Sequence, residues 1–116
     1  MHKFKDLKVW QKSVELATDI YRLTTTFPSE EKFGLISQMR RCVVSISSNI
    51  AEGAGRDTKK DFSNFLSIAY ASCCELNTQL IISYNLNYIA QNQLKEIESC
   101  IEEIQKMLFS LKNTLV

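Results

Sequence analysis

SSNIAEGAGRDTKKDF, residues 47–62, holds two of the chain's three glycines, Gly53 and Gly55, set among acids and bases. Two readings compete for it, and they lead to different folds. A glycine-rich phosphate cradle needs a strand before it and further fixed positions after it. A corner between helices needs only a stop and a start. Gly53-Ala54-Gly55 supplies the G-x-G of a dinucleotide fingerprint, but Thr58 stands where the third glycine belongs and no strand pattern precedes it. The Gly-Lys-Ser/Thr of a Walker A loop is missing as well. The helix-corner reading accounts for the stretch with fewer demands. Gly53 or Gly55 ends one helix in the left-handed conformation, and Thr58 caps the next, with Asp61 at the third helical position of a capping-box-like start.

The rest of the chain agrees with a helical corner. One proline and three glycines in 116 residues leave little turn chemistry for a strand-rich fold. The periodicity predicts helices over about residues 6–26, 30–54, 59–87 and 91–113 of a single domain spanning 1–116. In the first, Leu7, Trp10, Val14, Ala17, Tyr21 and Thr24 form one seam. Val9, Ser13, Leu16, Ile20, Leu23 and Phe27 form a second beside it, giving an apolar face wider than one contact line requires. Pro28 ends that helix, and Ser29 with Glu30 and Glu31 reads as the capped, acidic first turn of the second. Ile36, Met39, Val43, Ile46 and Ile50 form the second seam; Phe62, Phe65 or Leu66, Ala69, Cys73, Leu76, Leu80 and Ser83 the third. Leu94, Ile97, Ile101, Ile104, Leu108, Leu111 and Leu115 keep heptad spacing through the fourth. Helices of this length with short connections predict an all-α, up-down-up-down antiparallel four-helix bundle, with the first and last few residues loose.

Composition removes many chemistries. His2 is the only histidine and sits at the chain's start, which leaves no Ser-His-Asp or Cys-His triad within one chain and no Glu-x-x-His pairs for a di-iron centre. Cys42, Cys73, Cys74 and Cys100 show no C-x-x-C spacing, so no metal is expected, nor any cofactor. Free thiols, no signal-peptide pattern and no uninterrupted apolar run of about 20 residues point to a reducing cytoplasm and no membrane. The net charge of +1 hides an asymmetry: residues 1–60 carry eleven bases and seven acids, residues 61–116 three bases and six acids. Such a split fits either a basic face for nucleic acid or two halves that attract each other.

One pattern exceeds what a bundle needs. Gln38, Arg41, Ser45, Ser48 or Asn49, Glu52 and Arg56 recur at helical spacing beside the apolar seam of the second helix. Glu75 lies in line with Phe65, Ile68, Ser72, Gln79 and Ile82 on the third and is placed to meet Arg40 or Arg41. The stripe reads either as a solvated face or as a polar network that pairs with a ligand or another subunit. Arg56, Lys59 and Lys60 stand near the start of the third helix, where backbone amides can hold phosphate, but Glu52, Asp57 and Asp61 share the window.

At "FKDLKVWQKSVELATDIY", "FPSEEKFGLISQMRRCVVSISSNIAEGAGR" and "DFSNFLSIAYASCCELNTQL" the chain resembles the small four-helix-bundle proteins encoded in intervening sequences of bacterial 23S ribosomal RNA genes. The resemblance covers nearly the whole chain and is most specific over Ser45–Arg56. It implies an up-down bundle that assembles into a homopentamer with a central channel. It also implies kinship with the accessory protein of diversity-generating retroelements, which binds a reverse transcriptase and nucleic acid. No enzymatic activity is implied. The family's polar positions fall on Gln38, Arg41, Ser45, Asn49, Glu52, Gly53 and Arg56, and its glutamate on Glu75. Where the family usually carries Arg-Gly-Ser, this chain has Tyr70, Ala71 and Ser72, which removes a base and a glycine from the third helix.

The expected function is therefore a non-enzymatic, homo-oligomeric interaction module, a pentamer on the strength of the resemblance, whose partner is a nucleic-acid enzyme or ribonucleoprotein. The alternative is direct RNA or DNA binding, with Arg40, Arg41, Arg56, Lys59 and Lys60 as candidate contacts. An enzyme with a site shared between subunits, built on Arg41, Glu52 and Glu75, is the least supported.

Overall fold

The computed structural model describes residues 2–116. It contains four α-helices: α1 Lys8–Thr24, α2 Leu35–Ala54, α3 Lys59–Asn85 and α4 Gln91–Asn113, and no strand among the described residues. Short connections turn each helix back along its neighbour, and α1 closes the bundle against α4. The bundle is elongated, 43 × 24 × 20 Å.

The core follows the seams. Leu16, Ile20, Met39, Val43, Ile46, Ile50, Leu66, Leu76, Leu80, Ile101, Ile104 and Leu108 are fully enclosed. On α1 the line from Val9 to Phe27 is the buried one, whereas Val14 and Tyr21 of the other line stay exposed. On α3 Leu66 rather than Phe65 points inward. Three hydroxyls inside the core, Ser13, Thr24 and Ser83, donate to the carbonyls of Val9, Ile20 and Gln79 one turn back at 2.7–2.8 Å, so their burial leaves no donor unpaired.

Several boundaries differ from expectation, each for a local reason. Ser29–Glu31 form a 3₁₀ turn, and α2 starts only at Leu35, after Gly34 at φ −108°, ψ −116° interrupts the chain. Ser29 therefore caps nothing; Glu31 instead accepts from Tyr88 Oη at 2.9 Å, tying this connection to the α3–α4 turn. Neither Gly53 nor Gly55 is left-handed. Gly55 ends α2 at φ −85°, and Gly53 is an interior helical residue. The left-handed residue is Asn87, φ 63°, beyond α3. Tyr88 N donates to Ser83 O and Asn87 N to Tyr84 O, both at 2.9 Å, closing a Schellman turn. Thr58 does cap α3, its hydroxyl accepting from Asp61 N at 3.1 Å. From His2 onward the N-terminal segment is anchored rather than loose: His2 N donates to Ala54 O at 3.1 Å, and the imidazole packs edge-on against Phe62.

α3 is more apolar than its interrupted pattern suggests. Between Phe62 and Asn85 its single charge is Glu75, and by length and composition it is apolar enough to cross a membrane. No uninterrupted run reveals this, because serines, asparagines and threonines are interspersed. Here α3 packs one face against both α2 and α4.

Candidate functional site: a polar cleft between α2 and α3

α2 and α3 approach closely at their shared end. A Cβ on Gly53 would lie 2.7 Å from Phe65 Cβ and 2.9 Å from Phe62 Cδ1, so only glycine permits this spacing. Further along, the side chains that separate the helices are polar. Gln38, Arg41, Cys42 and Ser45 from α2 face Ser72, Glu75 and Gln79 from α3 across an open cleft of about 340 Å³.

Hydrogen bonds fix the floor. Ser45 and Ser72 hydroxyls stand 3.1 Å apart, Cys42 Sγ donates to Ser72 O at 3.1 Å, and Asn49 Nδ2 donates to Ser45 O and Oγ at 2.7 and 2.9 Å. Burial raises the Cys42 thiol's pKa, and the Glu75 carboxylate beside it adds to the rise. Cys42 is thus a neutral packing group and not a nucleophile.

The walls are less satisfied. Gln79 is 7% exposed, and its Oε1 has no hydrogen-bond partner among the described residues. Arg41 and Glu75 are both exposed, and neither forms an ion pair among the described residues. The only ion pairs among those residues are Lys12–Glu103 and Arg22–Asp19.

The stripe residues read from sequence therefore divide. Gln38, Arg41, Ser45 and Glu75 share the cleft, and Asn49 braces it through Ser45. Glu52 is exposed further down α2, and Arg56 stacks on Phe65 with its guanidinium 4.8 Å from the ring centre. Arg40 is not beside Glu75. Its Nε donates to Thr24 Oγ1 at 2.9 Å and its Nη2 to Tyr21 O at 3.2 Å, with the guanidinium over the Tyr21 ring. Arg40 thus serves as a clamp between α1 and α2. Ser72, Gln79 and Cys42 complete the cleft although the sequence pattern does not single them out as site residues. A signal for two of them is present, since Ser72 and Gln79 lie one turn on either side of Glu75.

The basic candidates do not form one surface. Arg56, Lys59 and Lys60 are exposed at the α2–α3 corner. The anchored N-terminus brings Lys3 and Lys5 to the same end. Arg41 lies fifteen residues up the chain from Arg56, roughly 22 Å along α2 at 1.5 Å per residue. Asp57, Asp61 and Glu52 dilute the corner's charge.

No group of three or more His, Cys, Asp or Glu side chains among the described residues is arranged to hold a metal ion.

A four-helix bundle with a glycine-enforced α2–α3 contact and a polar cleft beside it defines an all-α class of small bundle proteins. The family described as 23S rRNA-intervening sequence protein matches residues 5–110, and the chain belongs to it. A crystal structure of a protein with unknown function from the S23 ribosomal protein family of Bacteroides thetaiotaomicron VPI-5482 is similar, with a TM-score of 0.84 and 32% identity over 90% of this chain and 95% of that one. No curated protein matches the chain.

Proposed function

We propose that this protein is a non-enzymatic assembly module: a homo-oligomer of four-helix bundles, pentameric by the family resemblance, that presents a surface to a nucleic-acid enzyme or ribonucleoprotein. The observation that carries this reading is the outward line of α3. Ile68, Ile82 and Leu86 are 43–49% exposed along it, with Glu75 as its one charge. Val44 on α2 extends the apolar surface. Single exposed apolar residues are ordinary, but an aligned set on a nearly uncharged helix is the composition of a protein interface.

Size exclusion with light scattering, repeated with mixed RNA at low and moderate salt, tests the reading. The expected result is a mass several times that of one chain, indifferent to RNA. A monomer at micromolar concentration overturns it. A salt-sensitive shift to larger mass with RNA favours the second reading, direct nucleic-acid binding through Arg56, Lys59, Lys60 and the N-terminal lysines, because each neutralised phosphate releases counterions.

A further inference from the structure

We infer that the α2–α3 cleft is half of an intersubunit site, completed when a second copy of this chain places its Glu75 against Arg41 and a hydrogen-bond donor against Gln79 Oε1. The inference rests on the assembly reading above and names the residues that would decide who pairs with whom.

Three observations converge on a second copy as the occupant. The first is the orphaned amide. A buried acceptor without a donor costs about 1–3 kcal/mol, and native proteins retain few of them. Gln79 is more than nine-tenths buried, lines the cleft and has such an oxygen. That oxygen is closed to a water-sized group in the single chain, so the Gln79 amide has to turn toward the cleft to meet a partner's donor, which then removes the penalty.

The second is charge. Arg41 and Glu75 line the same cleft, one from each helix, and neither has an ion-pair partner among the described residues of its own chain. A surface with one cation and one anion is complementary to another copy of itself, since Arg41 of one copy can meet Glu75 of the next. A phosphate backbone would meet Glu75 and the apolar residues beside it. A strongly acidic protein would face the same carboxylate.

The third is the surround. Val44 on α2, and Ile68 and Ile82 on α3, are exposed beside the cleft. A small polar metabolite would leave them in water; a protein surface covers them. Burying the rim also strengthens the ion pair inside it, because screening falls as water is excluded.

Charge reversal with mixing tests the pairing. Arg41→Glu and Glu75→Arg are made singly, and dissociation constants are measured by light scattering and sedimentation on each variant and on an equal mixture. Each single variant is expected to assemble at least about tenfold more weakly, because like charges then face one another. The mixture is expected to recover most of that loss. In it, the carboxylate introduced at position 41 of one variant meets the guanidinium introduced at position 75 of the other. The Arg41 kept by the second variant likewise meets the Glu75 kept by the first. An odd-numbered ring keeps one like-charged junction, so recovery is partial there.

A wild-type monomer overturns the assembly reading itself. A wild-type oligomer whose single variants assemble unchanged overturns only the intersubunit site. Single variants that weaken assembly without recovery on mixing also overturn it, because the pair then acts within one chain. Should a reversal fail to fold by circular dichroism, Gln79→Met is an independent test. The expected result is a higher unfolding midpoint for the isolated monomer together with weaker assembly, since the orphan is removed along with the donor's acceptor. Unchanged assembly in that variant overturns the proposal.

Discussion

Where α2 meets α3, the backbones come so close that one methyl group on Gly53 would collide with Phe65, and Met39, Val43, Ile46, Ile50, Leu66 and Leu76 are almost fully enclosed around them. α4 lies differently. One cleft, lined by Leu66, Tyr70, Phe109 and Lys112, opens between α3 and α4. Another, lined by Leu16, Leu23, Ile97 and Cys100, opens between α1 and α4. The Ile and Leu seam of α4 reads as strongly from sequence as that of α2, so apolar periodicity alone does not set tightness. Tightness at α2–α3 comes from a residue with no side chain. The polar cleft lies along the same seam, above a floor where Cys42 and Ser45 bond across to Ser72.

The largest expected effect sets the two regions against each other with one substitution. Ile46→Ala in α2 is expected to cost about 3–4 kcal/mol, because an enclosed side chain leaves a cavity. Ile97→Ala in α4 is expected to cost about 1 kcal/mol, since that side chain is only half-buried beside an open cleft. Equal losses in urea denaturation would erase the distinction.

Gly53→Ala sharpens it from the other side. Alanine gains about 1 kcal/mol of helix propensity over glycine. The added methyl nevertheless meets Phe65 Cβ and Phe62 Cδ1 below contact distance, and overpacking costs about 1–3 kcal/mol. The expected result is a net loss of up to about 2 kcal/mol in the unfolding free energy. A more stable variant would mean that α2 and α3 yield easily.

A smaller effect belongs to the corner between them. Thr58→Ala removes the hydroxyl that accepts from Asp61 N, and the expected loss is about 1 kcal/mol, read from the thermal midpoint.

The cysteines report the contrast without changing the fold. Cys74 is exposed, Cys100 is half-buried at the α1–α4 cleft, and Cys42 and Cys73 are buried. Alkylation at neutral pH is expected to take Cys74 first, Cys100 through local opening of α4, and the other two only on global unfolding. Burial pushes the Cys73 thiol up to about 12, above its unfolded value. The Cys73 contribution to stability is therefore fully present below about pH 8.5 and is lost as pH rises toward 12, where the unfolded chain ionises and the folded one resists. Melting curves from about pH 7 to about pH 11 check the sign. Cys100 reacting as slowly as Cys73 would show α4 to be as tightly held as α2.

Much of the molecule is legible in the sequence. Four helices, the inward seams of α2 and α4, the Thr58 cap and the shared face of Gln38, Arg41 and Ser45 on α2 follow from spacing, because helical periodicity and capping are local physics. The errors cluster at connections. Ser29 has the chemistry of a cap, yet Gly34 delays α2; Gly53 has the chemistry of a stop, yet it lies within a helix. Arg40 stands in sequence as a partner for Glu75, yet neighbouring residues on a helix point about 100° apart, and Arg40 faces α1 while Arg41 faces α3.

The sequence by itself determined the class of fold, the number of helices and, on α2 and α4, which face turns inward, since these depend on residues a few positions apart on one helix. Only the tertiary structure decided that Gly53 is a spacer rather than a stop, that Asn87 takes the left-handed turn, and that Gln79 is buried with its oxygen unpaired beside Arg41 and Glu75. Those outcomes depend on how far apart two helices come to rest, a distance set by every side chain between them at once.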